Sequence, residues 1–231
     1  MIWWHILLVV IISYFIGNIS NARFIASMHK MDITKLGSGN PGTTNILRNF
    51  GFKWGLFSLI LDVLKGLVPV LTVFYIFGGN NNENISVTME YISGISVIVG
   101  HIFPILYKFK GGKGMASSLG VLFAVDPIFG AIVLIVAAIV WLLFKYGSLA
   151  CFVIIIAFTV IEALRVKGTY YMFGEPYFNI SLTNQNVICL ILFGLFILTW
   201  FAERKNIERL LIGKESKVDL IKSVNKKIKR G

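Results

Sequence analysis

The chain alternates long apolar runs with short polar segments. Apolar runs occupy about residues 2–20, 54–77, 91–107, 149–164 and 186–202, each close to the ~20 residues a helix needs to cross the hydrocarbon core of a bilayer. Such runs predict membrane-spanning helices, because a helix satisfies its own backbone polar groups where no water reaches. The stretch from Met115 to Phe144 is too long for one span and too short for two full ones. Asp126-Pro127 interrupts it, and proline breaks a helix, so two short spans joined by a tight turn are expected there. The fold class is therefore all-α: a polytopic bundle of seven transmembrane helices in a single domain over residues 1–231. The first run, Met1 to Ile16, lacks a basic n-region and a small-residue cleavage site, so it is expected to remain as the first span.

Composition agrees, with 56% hydrophobic and only 14% charged residues where soluble domains carry roughly 25%. The 22 Lys and Arg exceed the 11 Asp and Glu to give +11. No soluble basic domain is left over to bind nucleic acid, so the excess points to anionic lipid or anionic substrates. Lysine and arginine accumulate in cytoplasmic loops, which tests the span count. With seven spans and the amino terminus outside, the inside segments are about 21–53, 108–114, 145–148 and 203–231. They hold nearly all of the loop cations, whereas the outside segments, about 78–90 and 165–185, hold only Arg165 and Lys167. The basic tail from Val218 to Arg230 is read either as a short amphipathic helix on an anionic leaflet or as a solvated end.

Four polar segments fall on the same expected face. The first is Gly37-Ser-Gly-Asn-Pro-Gly-Thr-Thr-Asn-Ile-Leu-Arg48. Gly37, Gly39 and Gly42 let backbone amides converge on an anion, Ser38, Thr43 and Thr44 add hydroxyls, Asn40 and Asn45 add amides, and Arg48 can fork onto a phosphate. A helix starting near Pro41 would reinforce that site. The same glycines spell G-x-G-x-x-G, but no βαβ unit surrounds them and Asp62 falls inside a span, so a dinucleotide site is rejected. The second segment, Gly100-His-Ile-Phe-Pro104 with Gly111-Gly-Lys-Gly114, places Lys113 among Gly111, Gly112 and Gly114. These glycines free the lysine and neighbouring amides to approach an anion, although the spacing is not that of a Walker loop. The third, Lys145-Tyr-Gly-Ser-Leu-Ala150, contributes Ser148. The fourth, from Glu203 to Gly213, follows the last span. Asp62 and Lys65 lie three apart inside a span, and an internal ion pair is the favoured reading. Cys151 and Cys189 lack partner spacing, and no cluster of carboxylate, His or Cys suggests a metal; no cofactor and no obligate protein partner are expected.

Taken in order over nearly the whole chain, the segment from Gly37 to Arg48, Asp62-Val-Leu-Lys-Gly66, Gly100-His-Ile-Phe-Pro104, Gly111-Gly-Lys-Gly114 and the segment from Asn206 to Glu215 resemble the membrane acyl-phosphate:glycerol-3-phosphate acyltransferases of the PlsY type. The resemblance implies transfer of a fatty acyl group from acyl phosphate to the 1-hydroxyl of glycerol 3-phosphate, giving lysophosphatidic acid and phosphate. It also implies a multi-pass protein of a bacterial-type cell membrane with its site facing the cytoplasm. Ser38, Asn40, Thr44, Arg48, Lys113, Ser148 and Asn206 match positions that bind the two phosphates or orient the acceptor; of these, Ser38, Arg48, Lys113 and Asn206 are taken as the catalytic set. The chain departs from the pattern at Thr43, where alanine is usual, at Lys145, where arginine is usual, and at Cys151, where serine is common. Glu203 stands where the family has histidine.

An acyl phosphate is a mixed anhydride with a good leaving group, so the protein needs chiefly to position an alcohol and stabilise the oxyanion and departing phosphate. None of His5, His29 and His101 has an aspartate five residues on, as a His-x₄-Asp base would require. The resemblance implies that the donor's own phosphate takes the proton. The rival class is a membrane transporter for an organic phosphate, which would also want basic loops and intramembrane Asp62 and Lys65. Clustering of the polar motifs on one face argues for the enzyme.

Overall fold

A computed structural model describes residues 3–78, 83–167, 181–219 and Ser223. Nine α-helices run through them: α1 Trp3–Asn18, α2 Asn21–Met28, α3 Thr43–Phe50, α4 Phe52–Gly78, α5 Glu83–Ile102, α6 Met115–Val125, α7 Pro127–Phe144, α8 Gly147–Val166 and α9 Leu182–Leu211. No β-strand occurs among the described residues. Six stretches, with α1 and α2 counted together, are long and apolar enough to cross a membrane. The 11-residue α6 is apolar but only about 16 Å long at 1.5 Å per residue. The break between α6 and α7 falls at Asp126, whose side chain caps α7 by accepting from Phe129 N at 3.0 Å; Pro127 occupies the first helical position, where a missing N–H does no harm. Most of the basic tail, residues 220–222 and 224–231, lies outside the described residues.

The outward surface is apolar: Leu8, Ile12 and Phe15 on α1, Ile135 and Ile139 on α7, and Leu190, Phe193 and Ile197 on α9 are all exposed. Inside, the helices approach through small residues, as helices do where lipid tails are as apolar as leucine. A Cβ at Gly17 would strike the Val97 carbonyl oxygen, and one at Gly100 the Tyr14 carbonyl oxygen, so α1 and α5 touch backbone to backbone at both ends of one contact. Gly66 and Gly120 make the matching pair between α4 and α6, against Ser117 O and Val63 O. Ser13 and Ser93 hydroxyls, 2.9 Å apart, add a bond between α1 and α5.

Helices run on past the ends of the apolar runs. The charged segment from Glu203 to Leu211 continues the last span as the final turns of the 30-residue α9, about 45 Å long. The loop of residues 21–53 is also largely helical, holding α2, a 3₁₀ turn Ile33–Lys35 and α3. The break between α1 and α2 leaves the Ile19 carbonyl without a helical partner, and Lys65 Nζ of α4 donates to it at 2.8 Å.

A second polar group joins the other ends of the helices. Tyr91 of α5 donates to Glu162 Oε2 of α8 at 2.5 Å, and Arg165 lies 3.5 Å from both Glu162 Oε2 and Asp126 Oδ2. Arg165 also donates to the Val125 carbonyl at 2.9 Å, the last residue of α6.

Candidate functional site

One cavity of about 600 Å³ opens where the first half of α4 and of α8, the start of α6 and the last turns of α5, α7 and α9 converge beneath the loop from Gly37 to Gly42 and α3. Its walls divide by chemistry. Polar groups come from Ser38, Asn40, Thr43, Thr44, Arg48, Lys113, Ser148, Glu203, Asn206 and Arg209; Leu119, Leu134, Ala137, Trp141 and Ile154 line it with apolar surface. Gly37, Gly42, Asn45 and Gly114 also reach the wall. Gly39, Gly111 and Gly112 do not.

Those three glycines serve the backbone. Gly39 has φ +69°, a left-handed conformation that favours glycine, and its N–H closes a turn onto Leu36 O at 2.9 Å. The Gly111 and Gly112 amides donate to Ile102 O (3.2 Å) and His101 O (3.0 Å), so they are committed to carbonyls rather than left for an anion. A Cβ at Gly112 would collide with His101 Nε2. The two glycines thus let the chain fold flat against the end of α5 and deliver Lys113. Tyr14 fixes that corner from α1, donating to Phe103 O at 2.8 Å and accepting from Ile105 N at 3.2 Å.

Asn45 has a comparable internal task. Its Nδ2 donates to Leu36 O (2.9 Å) and Ile33 O (3.3 Å), while its Oδ1 accepts from Ser38 N (3.2 Å) and Asn49 Nδ2 (3.0 Å). With every valence used, the amide staples the glycine loop to α3. Gly42 caps α3 with extended backbone, which starts the helix two residues later than the proline and turns the Thr43 and Thr44 end, positive by its dipole, toward the cavity.

Beneath this loop lies a buried polar floor. Asp62 Oδ1 accepts from Lys65 Nζ and Asn21 Nδ2, each at 2.9 Å, and stands 4.0 Å from His101 Nδ1. Its Oδ2 accepts from Thr43 Oγ1 at 3.4 Å, and Ser58 Oγ lies 3.3 Å from the same hydroxyl. The Asp62 and Lys65 pair is therefore internal, as favoured from the sequence, and it ties α4 to α2 and α3. Asn21 and Ser58 carried no sequence signal beyond being polar in apolar surroundings.

The charged wall is finely balanced: Arg48, Lys113 and Arg209 face Asp62, Glu203 and Glu215. Lys113 Nζ sits 2.9 Å from Glu203 Oε2, and Glu203 is fully buried. Arg209 Nε donates to Glu215 Oε2 at 2.7 Å, and its Nη2 donates to Asn206 Oδ1. Gly213 at φ +68° reverses the chain after α9 and brings Glu215 back onto Arg209. From there residues 214–219 run over the mouth. Arg48 Nη2 reaches Ser216 O at 3.5 Å, Trp141 Nε1 donates to Val218 O at 3.1 Å, and Val218 N donates to Lys145 O at 2.7 Å. Burial lowers the Arg48 guanidinium below its ordinary pKa, with Glu215 pulling it back up and Arg209 pushing it down. Arg209 and Glu215 escaped the sequence reading as separate site residues, although both stand in the motif from Asn206 to Glu215.

Two oxygens on this wall, Ser148 Oγ and Glu203 Oε1, are buried without a hydrogen-bond partner among the described residues. An unsatisfied buried polar atom costs about 1–3 kcal/mol, so a pair on one cavity wall marks where a ligand's polar groups belong.

The described family of glycerol-3-phosphate acyltransferases matches residues 7–213. A glycerol-3-phosphate acyltransferase of Thermoanaerobacter pseudethanolicus is 38% identical over 215 residues, covering 93% of this chain and 96% of that one. The protein of the same name from Aquifex aeolicus is 34% identical, covering 90% and 97%. Among solved structures, crystal forms of PlsY, an integral membrane glycerol 3-phosphate acyltransferase, superpose with TM-scores of 0.78 (glycerol 3-phosphate form) and 0.75 (lysophosphatidic acid form). Each is 30% identical and covers 96% of this chain and 100% of its own.

Proposed function

The chain belongs to the glycerol-3-phosphate acyltransferase family, an integral membrane family by its solved members, and we propose that it transfers a fatty acyl group from acyl phosphate to the 1-hydroxyl of glycerol 3-phosphate, releasing lysophosphatidic acid and phosphate. The observation that carries this reading is a single cavity whose wall is cationic and hydroxyl-rich at one part and apolar at another. Both substrates bring a phosphate, and the donor also brings an alkyl chain. The donor's chain lies along Leu119, Leu134, Ala137, Trp141 and Ile154, each buried CH₂ contributing about 0.8 kcal/mol. Its phosphate, and that of the acceptor, are held by Arg48, Lys113, the Ser38 and Thr44 hydroxyls and the amino terminus of α3.

The carbonyl of a mixed anhydride is already electrophilic, so positioning supplies most of the acceleration. Ser148, Asn206 and Glu203 surround the acceptor's hydroxyls. Lys113 and Arg48 stabilise negative charge as it moves onto the leaving phosphate. The single-domain bundle sits in a bacterial-type cell membrane with seven spans, α6 and α7 forming the short pair, the amino terminus outside and the cavity facing the cytoplasm, as the cation distribution supports.

Purified protein given acyl phosphate and radiolabelled glycerol 3-phosphate is expected to form lysophosphatidic acid and release one phosphate per turnover. Failure to form product, with counterflow of glycerol 3-phosphate in reconstituted vesicles, would show a carrier for an organic phosphate instead.

A further inference from the structure

Resting on the acyl-transfer reading of the cavity, we propose that Arg209 is a positioning residue that fixes the Asn206 amide with its nitrogen toward the substrates, making Asn206 a hydrogen-bond donor to a substrate oxygen that carries negative charge. Both residues line the cavity, and they lie three positions apart on α9, hence on one helical face. Arg209 Nη2 donates to Asn206 Oδ1, and Arg209 Nε donates to Glu215 Oε2 at 2.7 Å. A guanidinium has N–H donors and no acceptor, so only the oxygen end of the amide can face it. The Nδ2 end is turned the other way, and it makes no hydrogen bond among the described residues.

An amide by itself does not choose between these orientations. Its two ends have nearly the same shape, and the cavity wall carries both signs: Lys113 and Arg48 attract Oδ1, whereas Glu203 attracts Nδ2. Arg209 decides between them, and the fold in turn holds Arg209. Gly213 at φ +68° reverses the chain after α9, Lys214 N closes onto Arg209 O at 2.7 Å, and Glu215 returns to the guanidinium. The Glu215 side chain is only 7% exposed and offsets the Arg209 charge. Two of the guanidinium nitrogens are thus committed within the protein, and the group acts on the substrates through Asn206. The phosphates of donor and acceptor, and the acyl carbonyl as it is attacked, are the oxygens such a donor serves, and a donor fixed in advance stabilises charge there without reorganising.

The test reads kcat and both KM values for acyl phosphate and glycerol 3-phosphate in four variants. Asn206→Asp keeps an oxygen for Arg209 but offers no N–H to the cavity, so kcat/KM should fall about 100-fold or more, the range for one lost donor, and a value within about threefold of wild type overturns the proposal. Arg209→Gln both donates and accepts, which frees the amide to turn, and should lower kcat/KM about tenfold, in the range of couplings between residues in contact. Arg209→Lys has three N–H groups and no acceptor, so it still dictates the orientation and should lose less than about threefold. Equal losses in these two variants overturn the proposal. In an Asn206→Ala background, adding Arg209→Gln should cost less than about twofold more. A full additive loss would show that Arg209 contacts a substrate or supports the fold on its own account, and the proposal would fall. The parameter that moves in Asn206→Asp identifies the oxygen: KM for either substrate marks that substrate's phosphate, and kcat marks the acyl carbonyl. If Arg209→Gln does not yield folded protein, the same comparisons are made with Arg209→Gln joined to Glu215→Gln, which leaves no carboxylate stranded without its cation. Wild-type protein inactive with both substrates would instead refute acyl transfer itself.

Discussion

Gly120→Ala adds one methyl group to α6, the helix that begins at the cavity wall. Its Cβ would strike the Val63 carbonyl oxygen and lie 2.9 Å from both the Val63 carbonyl carbon and the Leu67 amide nitrogen. All three are backbone atoms of α4, so no side chain can rotate away. Carbon atoms rest at about 3.5–4.0 Å, so α4 and α6 must part by roughly 1 Å. Overpacking of this kind costs about 1–3 kcal/mol, and parting two helices along a backbone contact belongs at the upper end. For a domain of this length that corresponds to a fall in Tm of roughly 5–10 °C. Gly194→Ala is the control: it sits in the middle of α9 with nothing within 4 Å of the added Cβ, so Tm should hold or rise. Both are measured by thermal unfolding in detergent. Equal Tm values for the two variants would refute the claim that glycine at 120 exists for close approach. The functional echo is also testable, because α6 begins next to Lys113 and its displacement should raise KM for the acceptor before kcat changes.

Arg48→Ala should lower kcat/KM by about 10²–10³-fold, from loss of one or two charge-assisted hydrogen bonds to phosphate, with unchanged membrane insertion; activity within threefold of wild type would remove Arg48 from the site. Arg48→Lys should recover only part of it, since an ammonium lacks the fork. Lys65→Met leaves Asp62 buried without its cation and should cost about 3–5 kcal/mol, whereas the double variant with Asp62→Asn should cost clearly less; equal values in thermal unfolding would show that the pair is not coupled. Tyr91→Phe removes a donor to Glu162 far from the cavity and should lower stability by about 1–3 kcal/mol while leaving kcat per folded molecule unaltered.

Spans are legible because lipid imposes a length and a composition, and the break at Asp126 is legible because Pro127 forbids a helix from running through. The end of α9 is not, because charge marks where lipid stops and not where hydrogen bonding stops; Glu203 to Leu211 change composition without leaving the helix. Residue types in the loop from Gly37 to Arg48 are those expected of an anion-binding loop, yet only coordinates reveal that Asn45 spends its amide on its own loop. Gly111 and Gly112 look like a phosphate cradle from spacing, and the carbonyls that claim their amides belong to α5. Lys113 and Glu203 are 90 positions apart, and no local pattern couples them. Glu203 looked like a departure at one position; beside Lys113 it becomes half of an ion pair on the cavity wall.

The cluster of Tyr91, Asp126, Glu162 and Arg165 has a consequence for how the protein is made. A chain enters the membrane from its amino terminus, so Tyr91 and Asp126 arrive while Glu162 and Arg165 are still being synthesised. Until α8 follows, the Tyr91 hydroxyl waits without its acceptor in a medium that offers no hydrogen bonds, and Asp126 has only its cap on Phe129 N. Arrival of α8 satisfies them together and locks α5, the α6–α7 turn and α8 at a common depth, since sliding α8 by a single turn, about 5.4 Å, would part every one of these contacts. Assembly order is thus written into the bundle: the part of the cavity wall supplied by α8 is brought into register from its opposite end.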